Sequence, residues 1–283
     1  MMNKNSQKEM AEQLRKLHHS GKMLILPNIW DVLGALLIQD LGYPAIATAS
    51  ASVALSRGYQ DGENIPFNVL LDLLKSITQR VNRPVTADIE SGYAVNDKQL
   101  VENIKLLIDA GISGINIEDT DRKSKKLHSI EAQSNKIGLI KKAAEEMGVP
   151  LFINARTDIY LHDKEFASGF EKFEETLKRG LAYKMAGADC FFPVLIREVE
   201  DITRLVNQLD LPVNIVVMPG IPDLNVLSSL GVARVSLGPS FLKIAIRAMK
   251  ELALQLQNFN GLSTITGNEI TSDYLKNLVS GKA

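Results

Sequence analysis

Two acids, two residues apart, make the first case for chemistry in this chain. In Val85-Thr-Ala-Asp-Ile-Glu-Ser-Gly-Tyr93 an apolar run follows Arg83-Pro84, and Asp88 and Glu90 end it before a glycine turn. Such a run fits a buried parallel strand. Residues two apart on a strand point the same way, so both carboxylates are expected to leave its C-terminal end on one face. Carboxylates brought together repel unless a cation or a proton lies between them. Oxygen ligands of this kind suit Mg2+ or Mn2+ better than zinc. The alternative, from this stretch alone, is a solvated strand end that happens to be acidic.

The elements that would position these acids repeat along the chain. Short apolar segments cover residues 23–29, 45–50, 85–90, 114–119, 151–157, 189–194, 213–217 and 232–237. Glycine or proline turns lead into all but the first, and amphipathic stretches at 67–81, 98–110, 130–147, 170–186 and 196–209 lie between them. That is the punctuation of βα units. About eight such units over 200–250 residues predict an α/β fold of the (β/α)8 TIM-barrel type. A doubly wound open sheet is the rival, but the first turn, Pro27-Asn-Ile-Trp-Asp31, is not glycine-rich. Met10, Leu14 and Leu17 at helical spacing predict an extra helix before the barrel, and 241–257 reads as a long amphipathic helix after it. No linker or composition shift divides the chain, so residues 1–283 are expected to form one domain.

Bulk composition excludes several classes. A net charge of −1 with no basic arm gives no electrostatic case for nucleic acid. No apolar run approaches the roughly 20 residues of a membrane span, and the polar N-terminus lacks the apolar stretch of a signal peptide. The single cysteine, Cys190, forms no internal disulfide and agrees with a reducing cytoplasm. A Schiff-base lysine is also disfavoured, because no expected strand contains a lysine.

In a barrel the C-terminal strand ends carry the active site. Here those ends hold Asn28, Trp30 and Asp31, then Thr48, Ser50 and Ser52, then Asp88 and Glu90, Glu118 and Asp119, and Asn154, Arg156 and Asp158. Asp31 and Asp158 also qualify as helix caps. Together they would make a pocket with several acids and one arginine, which is more charge than structure alone requires.

The motifs Leu26-Pro-Asn-Ile-Trp-Asp31, Ala47-Thr-Ala-Ser-Ala-Ser52, Asp88-Ile-Glu-Ser-Gly-Tyr93, Asn116-Ile-Glu-Asp119 and Asn154-Ala-Arg-Thr-Asp158, in this order, resemble the isocitrate lyase/phosphoenolpyruvate mutase superfamily, over roughly residues 20–240. Within it the chain is most similar to the carboxyvinyl-carboxyphosphonate phosphorylmutase-like branch. The resemblance implies a (β/α)8 barrel that binds Mg2+ and a 2-oxo acid and breaks or makes a C–C or P–C bond beside it. It implies a homotetramer or dimer that exchanges the eighth helix, here 241–257 within a C-terminal stretch from about 240 to 283. Carried over residue by residue, Asp88 resembles the direct metal ligand, while Glu90, Glu118 and Asp61 match acids that hold the metal largely through water. Arg156 matches the arginine that receives the substrate carboxylate or oxo group. The Ser50 and Ala51 amides match those that cradle the carboxylate, and Trp30 and Asn214 match residues of the substrate pocket. Glu90 is a departure, since the family usually carries Asp there.

The loop Thr120-Asp-Arg-Lys-Ser-Lys-Lys-Leu-His-Ser129 matches the family's lid. Isocitrate and methylisocitrate lyases carry a proton-donating cysteine there; counted without gaps, its place is Lys126. The asparagine of the mutase lid is absent too. His128 or Lys126 is then the candidate proton donor, against the alternative that a basic lid is simply solvated. The expected activity is Mg2+-dependent C–C cleavage beside a 2-oxo or 2-hydroxy acid. The alternatives are P–C bond chemistry and a non-catalytic 2-oxo-acid-binding barrel, the latter opposed by the presence of every metal-holding acid.

Overall fold

The computed structural model describes residues 4–162, 165–166 and 168–281, so the first three residues of the polar N-terminal stretch lie outside it. Strands β1 (Leu24–Leu26), β2 (Asn28–Ile29), β3 (Ile46–Thr48), β4 (Val85–Asp88), β5 (Gly114–Glu118), β6 (Phe152–Thr157), β7 (Cys190–Pro193), β8 (Asn214–Val216) and β9 (Arg234–Ser236) pair only in parallel. β2 to β7 pair in chain order, while β1 pairs with β9 and β9 with β8. Pro27 has no N–H to give and separates β1 from β2, the two halves of one barrel strand. A parallel bridge from Phe191 to Val213 joins β7 to the chain entering β8. The ladder closes into an eight-stranded barrel, which settles the fold class in favour of the (β/α)8 expectation.

Helix α1 (Lys4–His18) precedes the barrel. Its Leu14 is fully buried with Leu24, Leu26, Ala45, Ala47, Phe152 and Cys190, and Leu17 packs at the edge of the same cluster. Leu24, Phe152 and Cys190 are the first residues of their strands, so α1 plugs the N-terminal mouth. Gly114 shows how close the plug sits: a Cβ there would lie 2.6 Å from Leu14 Cδ2 and 3.1 Å from the Phe152 carbonyl. With that end sealed, the C-terminal mouth is left for chemistry.

The surrounding helices follow the amphipathic stretches. They are α2 (Val32–Asp40), α4 (Phe67–Thr78), α5 (Asp97–Asp109), α6 (Ile130–Glu146), α7 (Gly169–Met185) and α8 (Val199–Leu209), with two short ones, α3 (Ser50–Ser56) and α9 (Leu224–Ser229). Asp31, Asn96, Ser129 and Ser168 cap α2, α5, α6 and α7 by accepting from the N–H three residues on. After β9 come α10 (Ser240–Gln257), α11 (Leu262–Thr266) and α12 (Ser272–Ser280). α10 has no buried residue in this chain, although Phe241 packs on the core.

One expectation is corrected by the backbone. β4 ends at Asp88, and Glu90 sits in the following turn at φ +50°. The strand alternation that placed Asp88 and Glu90 on one face therefore stops one residue too early to apply.

Candidate active site

Asp88 closes β4 and is held from the neighbouring unit. The Ser50 hydroxyl and amide, at the start of α3, donate to Asp88 Oδ2 over 2.8 and 3.2 Å. The Glu90 amide makes a longer contact of 3.4 Å to Oδ1. Two strands along, Arg156 of β6 lies in register with Glu118 of β5. The guanidinium spans two acids, reaching Glu118 Oε2 at 2.8 Å and Asp158 Oδ1 at 2.6 Å. Asp158 Oδ2 also accepts from the Thr120 hydroxyl at 2.7 Å, which ties the root of the lid to β6. Asp158, a candidate cap from its position, makes no capping bond.

Glu90 is fixed by different neighbours. The Tyr93 hydroxyl donates to its Oε1 over 2.8 Å, and the Glu63 amide donates to its Oε2 over 2.6 Å. Glu63 is itself buried, and its Oε1 accepts from the Ser91 amide, the Ser91 hydroxyl and the Tyr93 amide. The turn after β4 is thus clasped by the segment before α4. Both Glu90 oxygens are already engaged by the protein. Asp88 Oδ1, met only by the long Glu90 contact, Glu118 Oε1 and the Asp61 carboxylate are the freest acceptors for a cation or its waters, and each Glu90 oxygen keeps a second lone pair.

The electrostatics say that the site is short of positive charge. Burial, and then the Asp88 carboxylate, lift Glu90 from the ordinary range to about 7, against the pull of the Tyr93 hydroxyl. Burial also raises Glu118 well above the usual carboxylate range; Arg156 opposes this, while Asp158, Asp88 and Glu90 reinforce it. Asp61 stands exposed on the loop before α4, yet desolvation of its carboxyl and then the Asp88 charge raise it too. For Arg156, burial works against the charge, but Glu118, Asp158 and Asp88 outweigh it and raise its pKa.

Those residues fit Mg2+ or Mn2+ better than any softer metal, since every donor is an oxygen. Among the described residues no three His, Cys, Asp or Glu side chains converge closely enough to hold an ion by themselves. Mg2+ keeps several waters and takes few carboxylates directly. A cation here would offset the burial, and with it the carboxylate repulsion, that pushes Glu90 and Glu118 toward their protonated forms.

The remaining candidates divide. Trp30, just after β2, is half-buried against the core, and Ala51 lies in the first turn of α3. Asn214 is the first residue of β8, in register with Arg234, and is bonded to Ser236 Oγ at 3.1 Å rather than to Asp88, Glu118 or Arg156. Lys126 is exposed, and its side chain makes no bond; its backbone shares the tight lid turn, where the Asp121 amide donates to the Lys126 carbonyl at 2.8 Å. His128 is anchored at both backbone atoms, its amide on the Asp119 carbonyl at 2.7 Å and its carbonyl on Arg179 at 2.9 Å. Cys190 is buried inside the barrel, as its apolar setting predicts.

Sequence reasoning places Asp119 among the strand-end acids but passes over Glu63, Tyr93, Thr120, Lys136, Arg179 and Tyr183. The one available signal is the four-residue spacing of Arg179 and Tyr183, which puts both on one face of α7. There the Arg179 guanidinium and the Tyr183 hydroxyl meet Asp119 Oδ2 at 3.0 and 2.8 Å.

Comparison with known proteins agrees with this fold. The phosphoenolpyruvate phosphomutase family model matches residues 14–257. An uncharacterised protein of Mycobacterium tuberculosis (strain ATCC 25618 / H37Rv) is 34% identical over 78% of this chain and 80% of its own length. The 2,3-dimethylmalate lyase of Eubacterium barkeri is 30% identical over 64% of this chain and 62% of its own. Among solved structures, a Burkholderia cenocepacia J2315 protein assigned as a phosphonomutase superposes with a TM-score of 0.83 at 35% identity, covering 87% of this chain and all of that one. A phosphonopyruvate hydrolase solved with oxalate and Mg2+ shares the fold, with a TM-score of 0.84 at 20% identity over 96% of this chain and 95% of its own.

Proposed function

Since the chain belongs to the phosphoenolpyruvate phosphomutase family, we propose that it is a Mg2+-dependent enzyme that cleaves a carbon–carbon bond beside the oxo or hydroxyl group of a small 2-oxo or 2-hydroxy acid. The observation that carries this reading is the Arg156 guanidinium, bridged to Glu118 and Asp158 beside an excess of buried carboxylates. Cleavage next to a ketone leaves negative charge on oxygen, and that charge needs fixed cations where it develops. Mg2+, when bound, supplies Lewis acidity to the oxygens of the 2-oxo acid. Asp88 would hold it directly, with Glu90, Glu118 and Asp61 acting mostly through water. Arg156 would bind the carboxylate or oxo group, and the Ser50 and Ala51 amides would receive the other end of the carboxylate. Trp30 and Asn214 would shape the pocket.

The intact acid set weighs against a non-catalytic binding barrel. P–C cleavage stays as the second reading, favoured by the likeness to the Burkholderia protein. Pyruvate release from 2,3-dimethylmalate, 2-methylisocitrate, oxaloacetate and phosphonopyruvate, with and without Mg2+, tests both. Metal-dependent release from one of the three carbon substrates, abolished in Asp88→Ala, is the expected result. Release from phosphonopyruvate alone would transfer the assignment to P–C chemistry, and failure to bind Mg2+ would end the metal-enzyme reading. No helix among the described residues is long and apolar enough to cross a membrane. We place the enzyme in the cytoplasm, as a homotetramer or dimer joined through exchanged α10 helices.

A further inference from the structure

Arg234 is the bulkiest side chain that is fully buried, and among the described residues no carboxylate pairs with it. It opens β9, in register with Leu24 of β1 and Asn214 of β8. Register partners share a face of the sheet, and Leu24 packs with Leu14 of the plug. The guanidinium therefore lies inside the barrel, toward the end that α1 seals. Its Nε donates to Ser236 Oγ at 3.1 Å, and that hydroxyl gives its own proton to Asn214 Oδ1, also at 3.1 Å. This order fixes which end of the Asn214 amide is nitrogen. Arg234 Nη1, Arg234 Nη2 and Asn214 Nδ2 are then buried donors gathered around one hydroxyl, and none has an acceptor in the protein.

Water could satisfy the donors, but it could not balance the charge. Burial lowers Arg234 to about 10, with Cys190 and then Asp88 acting the other way, so the side chain is still a cation at neutral pH. The titratable groups around it supply no counter-ion in contact. His18 of the plug is neutral: burial, and then Arg234, lower it to about 3, and its Nδ1 bonds the Leu14 carbonyl at 2.7 Å. Burial pushes the Cys190 thiol up to about 12. Asp88 is held at the far end of its strand by Ser50. A buried charge without a partner is costly, and such charges are ordinarily paired. The place matters as well. β1, β9 and β8 form a ladder of their own, which the Phe191–Val213 bridge joins to β7. A ligand shared by Asn214 and Arg234 would tie β8 to β9 beside that closure.

We propose that Arg234 and Asn214 hold a monovalent halide anion, chloride in the cell, inside the barrel on the plug side of the acid cluster. The arginine fork offers two N–H groups side by side, and the carboxamide a third donor. Both side chains are closed to solvent, a setting that suits a compact single-atom anion better than a carboxylate or a phosphate. The anion neutralises the guanidinium and takes no part in the reaction.

The test moves the full-length protein into sodium gluconate and titrates in sodium chloride or bromide at constant ionic strength while thermal unfolding is followed. Crystals grown in bromide are measured at the bromine absorption edge. The wild-type midpoint should rise and saturate, by about 5 °C at a hundred times the dissociation constant. An anomalous peak should lie between the Arg234 Nη atoms and Asn214 Nδ2. Arg234→Met removes the charge from a side chain of similar length, and should lose both the chloride response and the peak. In gluconate it should melt no lower than wild type, because replacing an unpaired buried charge by an apolar side chain is often neutral or stabilising. Arg234→Lys keeps a point charge without the fork and should need about tenfold more chloride. If Arg234→Met does not fold, the wild-type titration, Arg234→Lys and the bromide map still decide. A flat wild-type midpoint, ordered water alone at the Nη atoms, or an equal chloride response in Arg234→Met would each overturn the site. A bromide peak confined to the highest concentrations, with a flat midpoint, would mean an adventitious ion only and overturn it too. Mg2+ enters none of these readouts, so their failure would leave the enzyme reading untouched.

Discussion

The Tyr93 hydroxyl donates to Glu90 Oε1 over 2.8 Å, across a turn whose Glu90 and Tyr93 backbones are both left-handed, at φ +50° and +54°. Positive φ costs an ordinary residue free energy, so the turn is kept by what surrounds it: Glu63 binds three donors of the same turn through one oxygen. Glu90 is one methylene longer than an aspartate, and its two oxygens reach the Tyr93 hydroxyl and the Glu63 amide.

Removing the phenol should therefore act on the metal through Glu90. A hydrogen bond to a charged acceptor is worth about 1.5–3 kcal/mol, so in Tyr93→Phe the Glu90 carboxyl, already near pH 7, should move higher still. Mn2+ affinity, read by electron paramagnetic resonance, is expected to fall about tenfold at pH 7 and much less at pH 9, where the carboxylate forms regardless. Equal affinity of the two proteins at both pH values would remove Glu90 from the metal site.

The same carboxyl sets a pH dependence of stability. Its folded pKa lies above the unfolded value of 4.5, at about 7. The protonated form is the one that folding favours, so its contribution is complete below pH 4.5 and is lost as pH rises through 7. At 1.36 kcal/mol per pKa unit the loss is on the order of 3 kcal/mol, and Glu118 shifts in the same direction. Urea midpoints of the metal-free protein should fall between pH 5 and 8 more steeply than those of Glu90→Gln. Stabilisation by Mg2+ should grow over the same interval, because the cation binds the form that is otherwise disfavoured. Parallel pH profiles for wild type and Glu90→Gln would contradict the shift.

How much of this is legible in the chain differs from residue to residue, for physical reasons. Asp88, Glu118 and Arg156 are legible because each ends or nearly ends a strand, and parallel barrel strands deliver their ends to one mouth. Glu90 is legible as an acid of the site but not in its geometry, because alternation along a strand cannot foresee where the strand stops. Asp158 resembles a cap, since nothing local announces that Arg156, two residues earlier, folds back on it. Lys136 is one basic residue among several on an amphipathic helix. Only the packing of α6 against the lid turns it toward His128. Asn214 enters only through the resemblance to a pocket residue, because it opens β8 rather than ending it and lies buried beside Arg234.

The lid has a second anchor, and it can be cut. Arg179 NH1 reaches Asp119 Oδ2, the Tyr183 hydroxyl and the His128 carbonyl at once. Breaking a buried ion pair from one side strands the other charge, at a cost of about 3–5 kcal/mol. Arg179→Met should lower the melting temperature by on the order of 5–10 °C. Because the His128 carbonyl is released as well, trypsin should cut the Arg122–Lys126 segment faster than in wild type well below the melting temperature. A variant that melts lower with unchanged lid cleavage would separate the core role of Arg179 from any hold on the lid.

α10 carries Ile246, Met249 and Leu256 at 51%, 59% and 45% exposure, spaced by three and seven residues along one face. That spacing puts them in a stripe, and a stripe of large apolar side chains open to water is costly, at roughly 25 cal/mol per Å² of apolar surface left unburied. Exchange of this helix with a second copy would cover the stripe. Light scattering should then report a mass at least twice the 31.1 kDa of one chain. Met249→Glu, which sets a charge in the middle of the stripe, should shift the distribution toward the single chain, with the loss reversed in Met249→Leu. A wild-type protein that stays at 31.1 kDa at all concentrations would mean that α10 is covered by something other than a second copy.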